Sequence, residues 1–145
     1  MTMREGGCFC GAIRYRITGE PTQVNHCHCR MCQRLSGAPV VTWASFKTRD
    51  VQFLKGGPKW LESSDQASRG FCANCGTQLL WRPTRETDEV DLTAASLDDP
   101  NTIRPDIHIW TESQLRWLDI HDALPRYRRS KGEEEGTTAP TTSKI

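Results

Sequence analysis

The chain has 145 residues, 26% of them charged and 36% from the hydrophobic set, with a formal net charge of +1. That length suits one domain with a modest core, and the near-neutral balance removes any global electrostatic case for nucleic acid or an anionic membrane surface. The first ten residues, MTMREGGCFC, lack the apolar run of a signal peptide, and no segment has the apolar length that spans a bilayer, so a cytoplasmic protein is expected.

In chain order, residues 12–18 (AIRYRIT) alternate cleanly, with Ile13, Tyr15 and Ile17 on one face and Arg14, Arg16 and Thr18 on the other. This is the pattern of a half-buried strand, and Gly19-Glu20-Pro21 ends it in a turn. A short helix is expected over Arg30 to Leu35, followed by strands at Val40 to Phe46, Val51 to Leu54 and Lys59 to Ser63. Gly56-Gly57-Pro58 reads as a hairpin connection between the last two of these. Further strands are expected at Thr77 to Trp81 and Val90 to Ala94, with a second short helix at Asp98 to Thr102. Trp43, Trp60, Trp81 and Trp117 are expected in the core, His108 and Trp110 in the lining of a pocket. Short strands punctuated by Gly, Pro and Asp, with no long amphipathic helix, argue a mainly β, single-domain fold. Beyond Arg129 the sequence SKGEEEGTTAPTTSKI is too poor in apolar residues to offset ordering entropy. The expected organisation is therefore one folded domain over 1–129 and a disordered tail over 130–145.

Seven cysteines in an intracellular chain need a reason, and an odd count without a secretory context argues against a disulfide framework. They fall into three clusters: Cys8 with Cys10; Cys27, Cys29 and Cys32; Cys72 with Cys75. Residues two apart on a strand share a face, with Cα atoms roughly 6.6 Å apart, so Cys8 and Cys10 can converge on one zinc, with Gly11 leaving room for a close backbone approach. Cys72-Ala73-Asn74-Cys75-Gly76 has knuckle spacing, in which a tight turn aims both sulfurs at one point and Gly76 takes an unusual φ. Two plus two makes a complete structural site, whose metal-binding energy becomes folding energy. Which pair joins which is inferred from the count.

That leaves Cys27, Cys29 and Cys32 within HCHCRMCQR, a tripod with three protein ligands. Three ligands and an open position is the arrangement of catalytic zinc. The competing arrangement has His26 or His28 closing the site. Strand parity points both histidines away from the face shared by Cys27 and Cys29, a geometry that a loop conformation would defeat.

The order C-x-C-G, then C-H-C-x-x-C-Q-R, then F-C-x-x-C-G-T, resembles the glutathione-dependent formaldehyde-activating enzyme family, which includes centromere protein V-like domains. The resemblance runs from about Glu5 to Tyr127 and uses every cysteine; His108-Ile109-Trp110 and Leu124-Pro125-Arg126-Tyr127 also look like members. It implies a mainly β tent of small antiparallel sheets braced by zinc, with two Zn2+ per chain. One is structural, on Cys8, Cys10, Cys72 and Cys75; the other is catalytic in type, on Cys27, Cys29 and Cys32. The implied activity is that of a carbon–sulfur lyase that joins glutathione and formaldehyde to S-(hydroxymethyl)glutathione, or acts on a related thiol adduct.

Glutathione carries two carboxylates, and Arg30, Arg34 and Lys47 are the candidate partners, arginine bidentately. Solvated surface charge is the plainer role for each of them. His26 and His28 are candidates for proton transfer or for hydrogen bonding behind the ligands. Rival functions are a glutathione carrier or sensor, a non-catalytic zinc module binding protein, and thiol redox chemistry at Cys29 or Cys32. Nucleic acid and membrane are not expected partners: Arg126, Arg128, Arg129 and Lys131 form a short cluster beside Glu133 to Glu135, without interleaved aromatics.

Overall fold

The computed structural model describes residues 2–131. The expected tail, from residue 132 onward, lies outside the described residues. The chain divides into two compact units: one holds the residues up to Gln23 together with Ala44–Arg104, the other Val24–Trp43 together with the chain from Pro105. The described residues as a whole are mainly β, as expected. Among the described residues no helix is long and apolar enough to cross a membrane.

In the first unit β1 (Met3–Gly7), β2 (Arg14–Thr18) and β5 (Val51–Lys55) form a three-stranded sheet in the order β1-β2-β5. Both pairings are antiparallel, with Met3 opposite Thr18 and Ile17 opposite Val51. The alternation of β2 holds, since Tyr15 and Ile17 are fully buried while Arg14, Arg16 and Thr18 are half-buried. The C-terminal part of β4 (Val41–Lys47) lies in the same unit beside β9 (Glu89–Thr93), then β8 (Gln78–Pro83), β7 (Ala67–Phe71) and β6 (Lys59–Ser64). β6, β7, β8 and β9 pair antiparallel in succession. Phe46, Leu79, Leu80 and Leu92 supply buried apolar side chains from these strands.

Gly56-Gly57-Pro58 is not a hairpin. It links β5, which pairs with β2, to β6, which pairs with β7, so it carries the chain from one sheet to another. Gly56 has φ +60°, and a Cβ there would lie 2.3 Å from the Ala12 carbonyl oxygen; the glycine serves a crossing rather than a two-residue turn. The expected helix at Asp98 to Thr102 shortens to a single 3-10 turn over Pro100–Thr102, capped by the Asp99 side chain on the Asn101 amide. Trp43 is buried at 3% exposure, but Trp117 is 72% exposed, which corrects its expected core position. Trp60 and Trp81 are half-buried, and Trp60 is covered by the Arg82 guanidinium at 3.7 Å.

Gly6 gives a test of this packing. A Cβ on it would meet the Tyr15 hydroxyl at 2.4 Å and the Ser96 carbonyl oxygen at 2.5 Å, while Tyr15 is itself held by a 2.7 Å hydrogen bond with Ser96 Oγ. Gly6→Ala is expected to destabilise the protein by about 1–3 kcal/mol, the range for overpacking. A urea midpoint equal to that of the wild type would contradict this.

The second unit carries β10 (Ile107–Ile109), β3 (Gln23–Cys27, from Val24 onward) and the N-terminal part of β4, in that order. β10 and β3 run parallel, with His108 opposite His26 and Ile109 opposite Cys27. This pair departs from the expected all-antiparallel arrangement, since strands so far apart in sequence leave no local signal. The helix α1 (Arg30–Ser36) forms where expected, capped at its end by Gly37 at φ +68°.

Candidate metal centres

Both ends of the first cysteine group are turns. The strand expected for Cys8 and Cys10 from their spacing does not form; they follow β1 in a turn where the Gly11 amide donates to the Cys8 carbonyl at 3.1 Å. Gly11 has φ +78° with nothing within 4 Å of its would-be Cβ, so its role is conformational rather than one of close approach. The Cys72 segment repeats the device: the Gly76 amide donates to the Cys72 carbonyl at 2.8 Å, and Gly76 has φ +83°. In each turn the first cysteine's amide is held as well, Cys8 by the Ile13 carbonyl and Cys72 by the Thr77 carbonyl.

The result brings the sulfurs of Cys8, Cys10, Cys72 and Cys75 within 4.8 Å of one another. Cys8 and Cys10 are 3.6 Å apart, Cys10 and Cys72 3.9 Å. Four sulfurs each about 2.3 Å from a tetrahedral zinc would be about 3.8 Å apart, so the group fits that ion. Donors surround it: the Ile13 amide to Cys8 at 3.2 Å, Asn74 Nδ2 to Cys10 at 3.3 Å, and the Thr77 hydroxyl 3.2 Å from Cys75. Hydrogen bonds from the Thr77 hydroxyl, the Thr77 amide and the Cys10 backbone bring the Cys75 thiol down to about 5. That environment favours thiolate, the form that binds metal.

The second group lies wholly in the second unit. Cys27 ends β3, Cys29 caps α1, and Cys32 is in its first turn. Cys29 Sγ accepts the Cys32 amide at 3.2 Å, as an aspartate would at a helix N-terminus. Cys32 and Cys27 sulfurs are 3.5 Å apart, and all three sulfurs lie within 4.8 Å. Among the described residues no histidine or carboxylate joins this group. Gln33 locks its base: the side-chain amide donates to the His28 carbonyl at 2.8 Å and to the Ser113 carbonyl at 3.2 Å. Cys27 is held well above the usual thiol range by its hydrogen bonds with Cys29 and Cys32 and by burial. At Cys29 the bond from Cys27 lowers the value, but Cys32 and burial outweigh it and raise it. Cys27 and Cys29 thus favour the protonated thiol unless a cation is among the three crowded sulfurs, and a divalent ion satisfies that chemistry.

Neither His26 nor His28 points into the tripod group. His28 is fully buried, with Nε2 2.8 Å from His108 Nδ1, and His108 Nε2 is 2.8 Å from Asp122 Oδ2. The His28 and His108 rings stack at 5.1 Å and 22°, and His26 lies 4.9 Å from His108 with its Nδ1 2.8 Å from Thr42 Oγ1. Burial, then the nearby His108, pushes His28 down to about 3, and burial lowers His26 and His108 as well. Burial would raise Asp122, but the hydrogen bonds from His108 and the Leu124 amide, with the charge of Arg126, together outweigh it and leave the carboxyl low. At neutral pH the group is therefore three neutral imidazoles and one carboxylate. His108 is thus buried in a hydrogen-bonded chain rather than lining a pocket wall; Trp110, half-buried, turns the backbone after β10 at φ +55°.

Of the charged candidates, Arg30 Nη1 donates to Gln33 Oε1 at 2.7 Å, and Arg34 is exposed on α1. Lys47, in the first unit, is 3.1 Å from Asp88 and 3.3 Å from Glu89. Sequence reasoning passed over Gln33, Thr42 and Asp122. The first follows Cys32 directly and was quoted only as part of the motif; the other two have no local pattern that marks them.

The sequence profile of the family described as "Glutathione-dependent formaldehyde-activating enzyme" matches residues 3–113, which takes in every cysteine of both groups. The chain belongs to this family. An uncharacterized lyase of Schizosaccharomyces pombe is 32% identical over 80 residues, a match covering 55% of this chain and 58% of that protein. The chain thus matches little more than half the length of that relative. A Halomonas elongata protein named "Putative glutathione-dependent formaldehyde-activating enzyme" is 26% identical over 127 residues, covering 80% of each. The crystal structure of a Rhodobacter sphaeroides protein superposes with a TM-score of 0.54 at 22% identity, covering 68% of this chain and 93% of that one, a likeness of fold. Family membership and the relatives' names agree with the lyase class and the thiol chemistry implied by the cysteine motifs.

Proposed function

We propose that this member of the family is a zinc-dependent carbon–sulfur lyase that joins glutathione and formaldehyde to S-(hydroxymethyl)glutathione and runs the same reaction in reverse. The four-cysteine group holds a structural Zn2+, and Cys27, Cys29 and Cys32 hold a second one. The observation that carries the proposal is the tripod itself: three converging sulfurs, two of them buried, with no fourth donor in the group among the described residues. Zinc held there supplies one thing, a lowered pKa for a thiol at its open position.

The chain's own residues do the rest. Gln33 and the Cys29 cap brace the segment that carries the three sulfurs, so the sulfurs themselves are held in place for an arriving thiol. Arg34, exposed on α1, is free to meet a glutathione carboxylate, and Arg30 reaches one at the expense of its bond to Gln33. A carboxylate at Lys47 has to displace Asp88 or Glu89. In the reaction the thiolate sulfur attacks the carbonyl carbon, a carbon–sulfur bond forms, and the carbonyl π pair moves to oxygen. That oxygen takes up a proton, balancing the one the thiol lost.

Thiols add to formaldehyde unaided, so the test is a rate. Formation of the adduct by the zinc-loaded protein, followed by exchange NMR, is expected to exceed the spontaneous rate. Cys32→Ser is expected to lose about a hundredfold of that excess, some 3 kcal/mol of transition-state stabilisation. Glutathione binding without any rate gain would assign a carrier role instead, and neither binding nor rate would overturn the proposal.

A further inference from the structure

A third group in the second unit has the makings of a metal site of different chemistry. One ring nitrogen each of His26 and His108 and a carboxylate oxygen of Asp122 lie within 4.8 Å of one another. His26 and Cys27 are consecutive on β3 and therefore face opposite sides of the strand. His26 and His108 are partners in the parallel register, so their side chains share a face. The group is thus separate from the tripod and does not complete it.

The hydrogen bonds behind the two imidazoles decide what the group can do. His26 Nδ1 is 2.8 Å from Thr42 Oγ1, a hydroxyl that can accept, which leaves His26 Nε2 as a lone pair. His108 Nδ1 is 2.8 Å from His28 Nε2, which leaves His108 Nε2 facing Asp122 Oδ2 at 2.8 Å. Histidines that bind metals nearly always have the other ring nitrogen held in this way, which fixes orientation and raises ligand basicity. Ligand atoms about 2.0–2.2 Å from a tetrahedral metal are about 3.3–3.6 Å apart, so His108 Nε2 and Asp122 Oδ2, at 2.8 Å, need to part by only about half an ångström to share an ion. Two imidazoles and one carboxylate, with positions left open, is a donor set for divalent first-row transition metals rather than for thiolate-preferring ions. Asp122 is 24% exposed on its side chain, which provides an entry path.

We infer that His26, His108 and Asp122 bind a third divalent transition-metal ion, with Thr42 and His28 positioning the two imidazoles. Without the ion, the Asp122 carboxylate accepts from His108 Nε2–H, so His108 Nδ1 accepts from His28 Nε2–H. His28 Nδ1 is then a buried lone pair with no hydrogen-bond partner in the structure. When the ion takes His108 Nε2, the proton must sit on His108 Nδ1, where it is donated to His28 Nε2, and His28 carries its own proton on Nδ1. Both rings change tautomer and the number of protons on them stays the same.

The test uses the full chain with its thiolate sites loaded with zinc. Cobalt(II) is added and its spectrum followed. The expected result is one further equivalent bound with ligand-field bands and no gain in thiolate charge transfer. Asp122→Asn is expected to abolish that uptake, and Thr42→Val to weaken it by about tenfold to a hundredfold. Zinc binding at the same site, read by nitrogen chemical shifts, is expected to move the proton of His28 and of His108 from Nε2 to Nδ1; this readout needs only the wild type and stands even if Asp122→Asn fails to fold. No further uptake, uptake with thiolate charge transfer, equal uptake by Asp122→Asn, or unchanged tautomers would each overturn the inference.

Discussion

Cys75→Ser is expected to leave a chain that does not fold cooperatively at room temperature. Cys75 is one of four sulfurs that join a turn after β1 to a turn after β7, some sixty residues apart. A structural zinc contributes of the order of 10–16 kcal/mol in zinc-finger peptides, whereas a whole domain is stable by only about 5–15 kcal/mol. Losing one thiolate of four forfeits enough of the first figure to exhaust the second. The hydroxyl of serine fits the space and keeps a hydrogen bond with Thr77, so the loss is one of coordination rather than packing. Circular dichroism and a thermal melt decide it. A cooperative transition within a few degrees of the wild type would show that the four-cysteine group does not hold the fold.

Cys32→Ser is expected to do the reverse: to retain the fold and lose the activity. Cys32 is buried, but its backbone amide already caps onto Cys29, and Gln33 anchors the turn to His28 and Ser113 independently of any metal. The substitution removes one sulfur from the tripod and leaves β3, α1 and the histidine chain supported by their own hydrogen bonds. The expected cost in stability is the ordinary one or two kcal/mol for a buried substitution, against about a hundredfold in rate. The two cysteine variants together separate a structural role from a catalytic one. Equal loss of fold in both would contradict that division.

The division of seven cysteines into four and three was legible because chelate spacing is local: C-x-C-G and C-x-x-C-G each close a turn, and Gly11 and Gly76 mark where φ turns positive. α1 was legible from the same run of residues. β2 was legible because its alternation is undisturbed, with one face buried and the other half-exposed. β1 (MREGG), β3 (QVNHC) and β7 (ASRGF) were not, because each buries polar groups that break a hydrophobic pattern: Arg4, Asn25 and Arg69 are all under 9% exposed. Arg4 satisfies its guanidinium on Gly19, Glu20 and Thr102, partners brought up by the fold and invisible along the chain. The strand parity of Cys8 and Cys10 failed for a related reason. A Gly-rich segment favours a turn over an extended strand, and the sulfurs converge through that turn instead.

Asp122 was beyond reach altogether. It sits in an irregular, mostly exposed segment, and its role arises from contact with His108 on a strand fourteen residues earlier. Histidines flanking a cysteine cluster suggest ligation of the same ion, yet His28 is turned onto His108 and His26 onto Thr42.

The central claim is that the tripod of Cys27, Cys29 and Cys32 is open to a substrate thiol. The most direct measurement is a glutathione titration of cobalt-substituted protein, carried out in an Asp122→Asn background so that the nitrogen and oxygen donors there contribute nothing. One further thiolate-to-cobalt charge-transfer increment is expected, saturating at one glutathione per chain and absent from Cys32→Ser. A spectrum that glutathione leaves unchanged would contradict the claim.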